Sequence, residues 1–261
     1  MRDNRTPGFV TGLPTPQETL ARTNWAELNH AYGRATDAPR ILGGLLDEDQ
    51  AVRTEALDDL HHVLHHQNTL YEATVPAALY VAALLPDVRM TLPVDKSRHS
   101  FPGCLRAELL AWIGSIAAEV GDTAEVAAQR LGFPLDDYPP AVALRELRPA
   151  LFTAACAFLD DADRHVREAA IAACVPLLDD ARLSQHRGTL VPLLRQVLGT
   201  SELWQHREWA IDALDAWGQD STGLEGQQNP FLVCDTELQA DDSPWRPGAG
   251  NAQGWSEELP F

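Results

Sequence analysis

The chain spells the same turn-and-helix opening twice. Residues 46–56 read Leu-Asp-Glu-Asp-Gln-Ala-Val-Arg-Thr-Glu-Ala, and residues 159–170 read Leu-Asp-Asp-Ala-Asp-Arg-His-Val-Arg-Glu-Ala-Ala. In each, an apolar helix ends at a leucine, an acidic turn follows, and a new helix opens on Val-Arg with alanine one turn later. Asp47 precedes Arg53 by six residues, and Asp161 precedes Arg167 by six. A turn that recurs with its spacing intact describes a repeating helical hairpin. One such hairpin cannot bury its apolar face alone, whereas a stack of them buries a continuous core. Repeat stacks of this kind usually bind partners, so the expectation is a binding protein.

The rest of the chain fits around these two units. Residues 1–14 read as a disordered N-terminus. Thr15-Pro16-Gln17-Glu18 is a capping-box helix start. It opens a predicted N-terminal cap helix over 15–33 that carries Leu20, Trp25 and Leu28 and stops at Gly33. Hairpins are expected at about 38–66, 71–120, 141–178 and 183–217, on apolar positions at three- and four-residue spacing. Pro76 is tolerated if its helix starts near Thr74. Two irregular stretches, 86–100 and 121–140, interrupt the series, the second with room for a short helix over 123–131. Arg106 and Arg207 repeat the arginine, and Ser201 stands six residues before Arg207 as an expected N-cap. Residues 219–261 hold eight acids and one base, lack lasting periodicity, and read as a disordered acidic tail.

Each part of the repeated unit has a role in a stack. The residue before the arginine faces the next hairpin, and the alanine three residues later permits close helix approach. Asp47 and Asp161 can cap the second helix. Arg53, Arg106, Arg167 and Arg207 can pair bidentately with turn carboxylates and so set register between repeats. The motif Leu-x-Asp followed by Val-Arg-xx-Ala resembles the HEAT-repeat superfamily, including its bilin-lyase-like members, over roughly residues 38–217. The arginines are 53, 61 and 40 residues apart, and only the last gap matches the ~40–47 residues of a HEAT-type repeat. A second, local resemblance is carried by Trp25-xx-Leu28-x-His30-Ala31-Tyr32-Gly33, Asp37 and Pro39, with His66-Gln67-xx-Leu70-Tyr71-x-Ala73-Thr74 downstream. These residues resemble a group of bacterial, actinobacterial-type HEAT proteins, several of which look like immunity proteins against polymorphic toxins. The resemblances imply an all-α solenoid of about four HEAT-like helical hairpins, its second helices lining one side of the curve.

Charge narrows the partner. The chain of 261 residues has a formal net charge of −18. That opposes binding to nucleic acid, whose phosphates need a basic surface, and to an anionic membrane. It suits a basic protein partner, such as a basic toxin or nuclease, reached by electrostatic steering. Nineteen arginines against one lysine suggest a GC-rich bacterial genome. The N-terminus has no apolar signal-peptide core, and no run reaches the ~18 apolar residues of a transmembrane span. Cys104, Cys156, Cys174 and Cys234 form no CxxC pair, so a reduced, cytoplasmic protein is expected. Nothing in the pattern sets an oligomeric state.

Candidate chemistry is sparse. His61, His62, His65 and His66 pair at i, i+4, a spacing that can ligate a transition metal. Histidines in a last helical turn equally suit the helix dipole, and the reading adopted is partner contact or local structure, with no metal and no cofactor. Acid pairs at Asp58-Asp59, Asp136-Asp137, Asp160-Asp161 and Asp179-Asp180 could do acid–base work, but helix ends and solvated faces account for them. His99-Ser100 and Cys104 fall near a loop without support for a nucleophile, and no hydrolase, P-loop, zincin or dinucleotide fingerprint is present. Trp112 is expected in the core. Trp204, Trp209 and Trp217 either close the end of the array, the reading favoured, or contact a partner. The partner-contact candidates are Tyr32, His66, Gln67, Tyr71, Trp204 and Trp209. The function expected is a non-catalytic protein-binding scaffold, such as an immunity protein, inhibitor or adaptor. The alternative is a lyase-like HEAT protein or enzyme auxiliary acting on a bilin or a modified protein.

Overall fold

The computed structural model describes residues 12–94 and 103–224. The expected loose segment over 1–11, the acidic tail from 225 onward, His99-Ser100 and Cys234 lie outside the described residues. What is described is mostly helical, with a single two-stranded ribbon. Helices α2 (Ala38–Gly44) and α3 (Gln50–His62) form the first hairpin, and α4 (Thr74–Leu84) and α5 (Leu105–Ala118) the second. A short helix, α6 (Asp122–Arg130), fills the expected interruption. Helices α7 (Pro139–Cys156) and α8 (Arg164–Leu177) form the third hairpin, and α9 (Arg187–Gln196) and α10 (Trp204–Ala216) the fourth. The hairpins pack in chain order: α4 against α2 and α7, α5 against α8, and α8 against α10.

The N-terminal region departs from expectation. The capping box forms, Thr15 accepting from the Glu18 amide and Glu18 from the Thr15 amide. The helix it starts, α1 (Pro16–Arg22), is a third of the length predicted. It packs mainly on α4, not on the first hairpin. The residues read as its continuation form a 3-10 turn at Trp25–Glu27 and a hairpin of β1 (Asn29–His30) and β2 (Gly33–Arg34). Trp25 is buried and donates its indole N–H to the Leu20 carbonyl, which folds the chain back on α1. Gly33 sits at φ +121°, a conformation that side chains oppose, so the glycine closes a β-turn and does not end a helix.

One continuous apolar core runs through the first three hairpins, with Trp112, Tyr80, Leu57 and Leu60 fully enclosed. A smaller cluster of Ile171, Leu194, Leu198, Ala210 and Leu214 joins α8 to the last hairpin. Close approach is built in where α5 meets α8: a Cβ on Gly114 would stand 3.0 Å from the Ala173 Cα. Leu224 packs into the smaller cluster, and the Gln219 amide donates to the Leu214 carbonyl, so the region read as the start of the tail is docked.

The repeat arginines are bound as their spacing implies, but through different atoms. Arg53 donates to the backbone carbonyls of Asp47 and Glu48, both at 2.8 Å. Arg167 donates to those of Asp161 at 2.6 Å and Ala162 at 3.0 Å, and Arg207 to that of Ser201 at 2.5 Å. The guanidinium thus satisfies carbonyls left open where the preceding helix ends; none of the four arginines makes a bidentate carboxylate pair among the described residues. Asp47 and Asp161 are not the N-caps. Their Oδ1 atoms accept from the amides of Asp49 and Asp163, and those two residues cap α3 and α8. Ser201 likewise accepts from the Leu203 amide one step ahead of α10. Among the described residues, Arg106 is the one of the four that spans hairpins as register requires. It donates to the carbonyls of Leu85 and Asp87, lies over the Phe158 ring at 4.9 Å, and approaches the Asp161 carboxylate at 3.6 Å.

Candidate binding groove

Four helices that open on a repeat arginine, α3, α5, α8 and α10, line one groove of about 750 Å³. Its lining follows from the arginine spacing. Counting five residues on from each arginine gives Asp58, Ala111, Ala172 and Asp212, and nine residues on gives His62, Ser115, Pro176 and Ala216. All eight line the groove. Positions two, five and nine after the arginine are three and four residues apart, which places them on one helix face. The second position adds Glu108, Ala169 and Trp209. The floor is made of small residues on α5 and α8, chiefly Ala111, Gly114, Ala169 and Ala173, because these two helices approach most closely.

Charge in the groove is one-sided. Asp58, Glu108, Glu119, Asp179 and Asp212 line it, and no lysine or arginine does so among the described residues. Glu108 is the extreme case. It is 2% exposed, and its Oε1 has no hydrogen-bond partner among the described residues. Burial without a compensating cation pushes its carboxyl up to about 7. Burial also raises Glu119 and, as the largest of several influences, Asp179, whose Oδ2 accepts from the Asp122 amide at 3.0 Å. The neighbouring charged cleft beside α6, which shares Asp179 with the groove, differs in having arginines that pair four of its acids. Arg145 bridges Glu125 at 2.6 Å and Asp136 at 2.8 Å, and Arg182 bridges Asp180 at 2.7 Å and Glu146 at 3.0 Å.

At one end of the groove Ser201, His206 and Glu168 come together. The Ser201 Oγ donates to the Glu168 Oε2 at 2.7 Å, and the His206 Nδ1 lies 3.2 Å from that Oγ and 3.4 Å from the same Oε2. In a nucleophilic triad the imidazole stands between serine and carboxylate. Here serine and imidazole converge on one carboxylate oxygen, and all three side chains are buried. The arrangement ties α8 to the loop before α10. Burial pushes the Glu168 carboxyl up, but hydrogen bonds from His206, Ser201 and Arg164 outweigh it and hold the group at about 2.

The histidine cluster is dispersed. Helix α3 ends at His62, so the expected i, i+4 faces do not extend to His65 and His66. His62 bonds the Asp58 carbonyl through Nδ1 at 2.8 Å. His65 is buried edge-on against Trp112, and burial lowers its imidazole to about 4. His61 and His62 line the groove. Among the described residues no group of three or more His, Cys, Asp or Glu is placed to hold a metal ion.

The two segments of the second local motif do meet. The Ala73 amide donates to the Asn29 carbonyl at 3.1 Å, the Asn29 amide to Glu72 at 3.0 Å, and the Ala31 amide to the Val63 carbonyl at 3.1 Å. His30 spans the β-turn, accepting from the Tyr32 amide and meeting Asp37 at 2.8 Å. Tyr32 is 69% exposed and lies against His66, with Gln67 and Asn68 beside them in left-handed backbone conformations. Tyr71 is half-buried at the same corner. This surface adjoins the groove through Asn68, which lines it. Trp112 is core, Trp204 is half-buried, and Trp209 and Trp217 line the groove, Trp217 with Arg187 over its ring. The signal for Glu108, Asp212 and Trp209 in the sequence is their spacing from the repeat arginines, which places them on one face.

Comparison with protein-family models, with curated proteins and with solved structures gave no significant match. No helix among the described residues is long and apolar enough to cross a membrane.

Proposed function

We propose that the chain is a non-catalytic protein-binding scaffold of HEAT type, its hairpins stacked as a solenoid with the groove on the inner face, and that it holds a basic protein partner. The observation that carries this reading is the groove itself. It is built from four successive repeat helices, walled by Trp209 and Trp217, and supplied with five carboxylates and no lysine or arginine. Acids gathered in a partly apolar cleft without an arginine or lysine beside them in its lining are unfavourable in the free protein and become favourable when a cationic surface covers them. An immunity protein or inhibitor that covers a basic toxin or nuclease fits this chemistry, and the net charge of −18 would speed encounter. The test is co-expression with the product of the neighbouring gene, followed by co-purification and a growth-protection assay. The reading predicts a salt-sensitive complex and rescue of growth. A neighbour that neither co-purifies nor is neutralised would refute the inhibitor role.

A further inference from the structure

We propose that Glu108 is the anchor for one basic side chain, carried on an extended segment of the protein partner, that inserts to the floor of the groove. The proposal rests on the reading of the groove as a protein-binding surface and adds the chemistry of its central contact. The carboxylate lies in the first turn of α5, enclosed to 2% exposure, and its Oε1 is unpartnered among the described residues. A buried acceptor left open is costly to keep. Beside it, Ala111 and Ser115 on α5 and Ala169 and Ala172 on α8 leave a channel between small side chains. An aliphatic stem fits such a channel, and the guanidinium or ammonium at its tip supplies the missing donor. No arginine or lysine among the described residues lines the groove, so no described guanidinium or ammonium fills this position and a partner's side chain can. Burial holds the free carboxyl near neutral pH, which is the expected state of an anchor awaiting its cation.

The experiment is a titration of the full-length isotope-labelled protein with a short capped alanine peptide carrying one central arginine, and with its citrulline and norleucine counterparts, followed by amide and indole resonances. The arginine peptide should shift residues that line the groove and bind at least about tenfold more tightly than the citrulline peptide. Glu108→Gln should lower affinity for the arginine peptide by at least about tenfold and erase the preference over citrulline. Ala111→Arg, one turn from Glu108, should fill the site internally and abolish binding, so a second variant reports on the same contact. Equal binding of the arginine peptide by wild type and Glu108→Gln would overturn the anchor. If all three peptides shift groove residues equally, the groove remains a docking surface and the anchor falls. If none shifts them, the reading of the groove falls as well. Binding of free arginine amide as tightly as the peptide would overturn a protein segment as the occupant.

Discussion

Neutralising Glu108 should make this protein more stable, and the gain should depend on pH with a defined sign. The folded-state carboxyl sits at about 7, against an ordinary value of 4.5, because it is buried. An unfolded chain releases this proton near 4.5, while the folded chain holds it until near 7. Stability from this group is therefore greatest below 4.5, falls as pH rises through that window, and levels off above 7. Glu108→Gln removes the penalty of ionising the buried group. A shift of that size corresponds to a gain of about 3 kcal/mol at pH 8 and about 1 kcal/mol at pH 5. For a chain of this length the pH 8 gain corresponds to a rise in melting temperature of roughly 6–12 °C. Paired urea denaturations of wild type and variant at both pH values isolate the effect, since every other titrating group cancels in the difference. A variant less stable than wild type at pH 8, or a gain equal at both pH values, would refute the claim that Glu108 is buried without a compensating charge.

Glu168→Gln should act in the opposite direction. Its folded carboxyl is held at about 2, so its contribution is present above 4.5 and lost as pH falls toward 2, and the variant should lose about 3 kcal/mol at neutral pH by urea denaturation. His65 is a base lowered to about 4 by burial; its stabilisation is complete above 6.5 and lost as pH falls toward 4, so His65→Phe should flatten the acid limb of the wild-type stability profile, as followed by circular dichroism. Arg167→Ala leaves the Asp161 and Ala162 carbonyls without their donor and should cost about 2 kcal/mol by urea denaturation, with Arg167→Lys recovering part of the loss because a single nitrogen, Nη1, makes both bonds. Gly114→Val drives a side chain into the Ala173 backbone at 3.0 Å and should destabilise by about 1–3 kcal/mol in the same assay.

The scaffold was legible in sequence because hairpin formation is local chemistry. The six-residue interval from Asp47 to Arg53 survives as a contact, since a guanidinium at that distance from a helix start reaches the turn before it. Its acceptor was misassigned because carboxylates stand out in a sequence and open carbonyls do not. The β-ribbon at 29–34 was hidden for a different reason. Its hydrogen bonds run to Val63 and Ala73, so tertiary partners, and not local propensity, convert an amphipathic run into a turn. The docked stretch at 219–224 was missed on similar grounds, because it is held by Leu224 packed beside Gly199 and by the Gln219 amide on the Leu214 carbonyl. Glu108 could not be singled out by composition, being one of 38 acids. What distinguishes it is the absence of a neighbour, which a sequence does not record.

Glu108 and Glu168 separate scaffold from surface on adjacent helices. Both are 2% exposed; Glu108 lies in the first turn of α5 two residues after Arg106, and Glu168 lies in α8 next to Arg167. Glu168 receives Ser201, His206 and Arg164, and it locks the third hairpin to the fourth. Glu108 receives no bond at Oε1 among the described residues and faces a groove without arginine or lysine. The two carboxylates are thus shifted in opposite directions, Glu108 up by burial alone and Glu168 down because the hydrogen bonds around it outweigh its burial. Holding Glu108 open destabilises the free protein by an amount that a bound cation can return as affinity. If that coupling holds, stability and binding must trade against each other at this one position: Glu108→Gln should be the better-folded protein and the poorer binder, whereas Glu168→Gln should lose stability and bind normally wherever it remains folded.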